Sequence, residues 1–126
     1  MAFINNEVFD GGLDYAITNG TQIDICSADP TTSYADSQTY SLGTKTGLTV
    51  GATEDADSGT GRQVVVPAIL AGAPGTVDGT DTATHWALSD GSSILVASGA
   101  LTSGQAVTDT NDFTLDEILI TIRDAT

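Results

Sequence analysis

Asp90-Gly91 separates two strand-like runs, Ala83-Thr84-His85-Trp86-Ala87-Leu88-Ser89 and Ser92-Ser93-Ile94-Leu95-Val96-Ala97-Ser98. Asp-Gly between such runs is a strong signature of a type I′ β-hairpin, which commits both runs to antiparallel pairing. A two-residue loop pairs Ser89 with Ser92, and counting outward sets Trp86 opposite Leu95 and Ala87 opposite Ile94. Both faces of the hairpin are then largely apolar. That pattern suits a sandwich core, or a face covered by a neighbouring subunit.

Composition extends the β reading to the rest of the chain. Thr (20) and Gly (14) are abundant in 126 residues, whereas Lys and Arg together number 3. Thr favours strands, Gly favours turns, and the usual helix fillers are scarce. At 40% hydrophobic and 16% charged, the chain is too apolar for a typical disordered segment. Its length fits one domain able to bury roughly two-thirds of its unfolded surface. One cysteine provides no internal disulfide framework. The fold expected is mainly β: a small antiparallel sandwich or barrel-like domain with one short N-terminal helix.

That helix is expected over 11–18. Phe9, Leu13, Ala16 and Ile17 fall at helical spacing, with Asp10 as N-cap and Gly20 closing the end. Gln22 to Ser27 alternates as a strand, with Ile23 and Ile25 on one face and Asp24 and Cys26 on the other. Residues 34–50 read as either a strand or a long extended loop. Loops are expected at 51–61 and 71–82, with a strand over 62–70 interrupted by Pro67. Near the end, Phe113 and Leu115 share one parity, and Ile118, Ile120 and Ile122 the other. A β-bulge at Asp116-Glu117 would restore one continuous apolar face.

Net charge excludes whole classes of partner. Seventeen acids against three bases make −14, and nucleic-acid affinity comes mainly from cations neutralising phosphates. Anionic membranes are disfavoured in the same way. No apolar run approaches 18 residues, and the first residues lack the basic and apolar regions of a signal peptide.

The sequence offers no catalytic constellation. His85 is the single histidine and no G-x-S-x-G elbow accompanies it, so a structural role is expected. One His and one Cys make zinc improbable. Cys26 reads as a small buried hydrophobe. Glu54, Asp55, Asp57, Asp78 and Asp81 have the chemistry of hard-cation ligands but not the spacing of an EF-hand. Solvated loop acids are the simpler reading. No enzyme activity, metal or cofactor is expected.

The strings Phe9-Asp10-Gly11-Gly12-Leu13-Asp14-Tyr15, Asn19-Gly20-Thr21-Gln22-Ile23-Asp24-Ile25-Cys26-Ser27 and Pro30-Thr31-Thr32 resemble the start of a family of small tailed-phage virion proteins. Ala83 to Ser92, Ser98-Gly99-Ala100-Leu101 and Phe113-Thr114-Leu115 resemble its second half. Within that family, a β-rich chain of this length looks most like a head decoration (cement) protein. The resemblance implies a homo-oligomer, a trimer by analogy, on the outer surface of the head, with the major capsid protein as partner. It supplies no catalytic residues. The segments 51–61 and 71–82 lie outside it.

Residues 1–9 are expected to form an N-terminal arm before a single domain over 10–126. Phe3, Ile4, Val8 and Phe9 are its candidate contacts to capsid or neighbouring subunit. The alternative is a tail, fibre or baseplate component for host attachment. A third reading, a sugar-binding sandwich, has only Tyr34 and Tyr40 as exposed-aromatic candidates. The acidity reads either as adaptation to salt or as a match to a basic capsid patch.

Overall fold

A computed structural model describes residues 5–57 and 59–123. The elements in chain order are α1 (Asn6–Asn19), β1 (Gln22–Cys26), α2 (Tyr34–Tyr40), β2 (Ser41–Lys45), β3 (Glu54–Asp55), β4 (Arg62–Val66), β5 (Gly75–Val77), β6 (Asp81–Ser89), β7 (Leu95–Val107), β8 (Asp112–Phe113) and β9 (Ile118–Ile122). The chain is mainly β, as its composition implies. All pairings are antiparallel, in a six-stranded sheet of order β7-β6-β1-β2-β5-β8 and a three-stranded sheet of order β3-β4-β9. Neither sheet closes into a barrel among the described residues.

One apolar cluster joins the two sheets. Ile23, Ile25, Val77, Leu88 and Phe113 come from the large sheet, Val64 and Val66 from the small one, and Leu13 and Ala16 from α1. The helix packs against β4 and β9 on one side and β7 on the other, so it bridges the sheets. It begins at Asn6, five residues before the expected start, which places Asp10 inside the helix and not at its cap. Burial of Phe9, Leu13 and Ala16 along one side outweighs the weak helix propensity of Gly11 and Gly12. The other end follows expectation: Gly20 N–H donates to Ala16 O at 2.8 Å.

A second helix, α2, occupies the first part of the segment read as strand or loop. Ser33 caps it, its side chain accepting from Asp36 N–H at 3.0 Å. It packs on β1 and covers the face opposite the core, so β1 is buried on both sides.

The hairpin exists with a longer loop and a different register. Ser89 pairs with Leu95 and Trp86 with Gly99, not Ser89 with Ser92 and Trp86 with Leu95. Asp90 is the cause. Its Oδ1 accepts from the backbone N–H groups of Ser92, Ser93 and Ile94, each at 2.9 Å. That wrap stabilises a loop over 90–94, and Gly91 supplies the left-handed conformation it needs (φ +78°).

The parity switch near Asp116-Glu117 also has another cause than a bulge. Phe113 on β8 belongs to the large sheet, and Leu115 forms a bridge with Ile69. Ile118 to Ile122 pair with β4 in the small sheet. The chain changes sheet there, and each half turns its own apolar parity to the shared core.

Candidate functional site

A groove of about 670 Å³ lies between β7 and the segment linking β8 to β9. Its β7 wall is made by irregular pairing. Ala83 pairs with Gln105 and His85 with Ala100, so two steps along β6 match five along β7 and residues 101–104 bow outward. Trp86, half-buried, lines the groove, its ring packed over Gly99. Leu101 and Leu115 add apolar surface, and Leu70, 67% exposed, stands at the rim. Asp116 and Glu117, both exposed, make the opposite wall acidic.

This chemistry suits an extended segment that mixes apolar side chains with neutral polar or basic groups, and it repels an anionic one. The outer edges of β7 and β9 have no strand beyond them among the described residues. Both offer backbone donors and acceptors of the kind used in strand addition.

The residues expected to make partner contacts divide. Phe3 and Ile4 lie outside the described residues. Residues 6–9, assigned to the arm, form the start of α1. Val8 is 67% exposed on that helix and free for a contact. Phe9 is 3% exposed and is held by the protein's own interior, which removes it from any contact surface. Tyr15, two turns after Val8, is 52% exposed, and no motif in the sequence marks it.

Beneath α2 the structure brings Cys26 opposite His85. The pair is not a nucleophile and base. Cys26 Sγ is buried against Ser37 O at 3.6 Å, and burial, reinforced by the Asp24 charge, pushes the thiol up to about 12. A thiol held protonated is a poor nucleophile. His85 Nδ1 lies 2.9 Å from Thr84 Oγ1, whose hydroxyl donates to Ser27 O at 3.1 Å. These are structural bonds that tie β6 to the end of β1.

Asp24 is the one buried carboxylate among the described residues. It accepts from Gln38 of α2 and from Gln22 Nε2 at 3.2 Å. Burial pushes its pKa up, while bonds from Thr44, Gln38 and Gln22 oppose the rise. Gln38 therefore anchors α2 to the sheet through Asp24. Three of the acids with cation-ligand chemistry are engaged within the small sheet. Glu54 and Asp57 accept from the buried Gln63 amide at 2.9 and 3.2 Å, and Asp55 accepts from Arg62 at 2.7 Å. Arg62 also reaches Asp10 at 2.8 Å, tying α1 to the small sheet. Among the described residues no three His, Cys, Asp or Glu side chains gather as a metal site.

Tyr34 and Tyr40 begin and end α2. Six residues at about 100° each turn them to different sides of the helix, so they form no shared platform for a sugar.

Comparison of the chain with protein families, with curated proteins and with solved structures finds no match in any of the three.

Proposed function

We propose that the chain is a non-catalytic virion structural protein that decorates the outer surface of a tailed-phage head, with the major capsid protein as its partner. The observation that supports this reading best is the groove beside β7: a trough of mixed polar and apolar lining with an acidic wall, flanked by open strand edges. Such a site suits an extended segment of another protein. The distribution of charge agrees with it. Eleven of the described carboxylates are exposed and only Asp24 is buried, so the acids coat the molecule over an apolar β core. A protein on the outside of a shell has no need to grip packaged DNA, and this surface repels it.

The test is co-sedimentation with capsids that lack the protein. Leu70→Glu places a charge at the groove rim on a side chain that is already 67% exposed, so the fold is undisturbed. Capsid occupancy should fall sharply in this variant, while Val65→Thr, away from the groove, binds as the parent does. Equal occupancy for both variants counts against the groove as the contact.

A further inference from the structure

Strand β9, Ile118-Leu119-Ile120-Thr121-Ile122, pairs with β4 on one side and has no strand on the other among the described residues. Which backbone groups face the open side follows from β4. Val65 O accepts from Gly51 N–H at 2.9 Å, so Val65 turns its polar groups away from β9. Val65 is the partner of Leu119. Alternate residues of an antiparallel ladder direct their groups to opposite sides. Leu119 and Thr121 therefore present N–H and C=O to the open edge, while Ile118, Ile120 and Ile122 bond β4.

Exposed edges are usually protected by Lys, Pro, a bulge or a cover. This strand contains no Lys or Pro, its register with β4 is regular, and Leu119 and Ile122 are 41% and 36% exposed. Its sequence also reads nearly the same in both directions. Antiparallel pairing with a second copy about Ile120 sets Leu119 opposite Thr121, whose free groups match, and Ile118 opposite Ile122. One step further out, it sets Glu117 opposite Arg123 of the second copy, twice by symmetry. Opposite charges facing each other across a strand pair are stabilising. Only three cations occur in the chain, and one of them stands where this register needs it.

We propose that β9 pairs antiparallel with β9 of a second copy about a two-fold axis at Ile120, merging two three-stranded sheets into one continuous sheet. The contact covers Leu119 and Ile122. One strand pair buries less than the roughly 1,200 Å² typical of a stable complex, so the dimer is weak and forms with rising concentration. A self-complementary two-fold contact closes at two copies. The inference rests on the β9 edge and stands whether or not the chain binds a capsid.

The test is light-scattering mass of the full chain over a concentration series. The parent should rise from its 12.8 kDa toward twice that mass. Thr121→Pro removes an outward N–H without breaking a bond to β4, and Arg123→Glu sets like charges opposite each other. Both should remain monomeric with unchanged circular dichroism. The double variant Glu117→Arg/Arg123→Glu restores complementary charges and should dimerise again. A parent that stays monomeric, a trimer, a dimer that survives either single variant, or a double variant that fails to dimerise would each overturn the proposal.

Discussion

The ring of Phe113 lies against the backbone of Gly75. The two residues pair across β5 and β8, and a Cβ built at position 75 would meet the ring at 2.2 Å. The same ring stands 3.1 Å from a Cβ built at Gly43 on β2. Two side-chain-free positions on adjacent strands thus make the bed for one aromatic residue of the core. This bed holds the far end of the large sheet, where β8 contributes only two residues.

Gly75→Ala should therefore overpack the core and lower stability by about 1–3 kcal/mol, read as a shift in urea midpoint. Adding Phe113→Leu should make the combined loss smaller than the sum of the two single losses, because the sites are in contact. Strict additivity would refute the packing account.

Asp24 should make stability depend on pH in an unusual direction. Its pKa in the fold is raised above the ordinary 3.8 by burial, so the fold favours the protonated acid. Its contribution is fully present below pH 3.8 and is lost as pH rises through the raised value. Relative to Asp24→Asn, the parent should lose stability as pH rises from acid toward neutral. A difference between the two that stays constant with pH contradicts this.

Asp90 should behave in the opposite sense. Three backbone N–H groups lower its pKa to about 2, so its contribution is present above pH 3.8 and disappears as pH falls through 2. Asp90→Ala should speed amide exchange at Ser92, Ser93 and Ile94 near neutral pH. At the acid limit the two proteins should converge. Equal protection of these amides at neutral pH would show that the carboxylate does not hold the loop.

The elements that were legible in the sequence are those whose cause is local. Ile23, Ile25 and the Asp90-Gly91 turn marked β1 and the hairpin because alternation and turn chemistry act over a few residues. The hairpin register was not legible, since it depends on how one Asp90 carboxylate distributes its hydrogen bonds. α2 lacks an apolar stripe because it covers polar residues of β1, yet Ser33-x-x-Asp36 was a start signal available to be read. The parity switch between Leu115 and Ile118 was visible, but a change of sheet and a bulge leave the same trace in one dimension. The groove was hidden because Trp86, Leu101 and Leu115 meet only in the tertiary fold. Phe9 shows the limit from the other side: an apolar residue near the chain start looks free until a helix turns it inward.

The central claim is position on a virion, and imaging of particles assembled with and without this chain tests it most directly. Particles with the chain should carry extra density in many copies on the outer face of the head shell, and particles without it should lose that density. Density confined to the tail, fibres or baseplate, or particles indistinguishable with and without the chain, would contradict it.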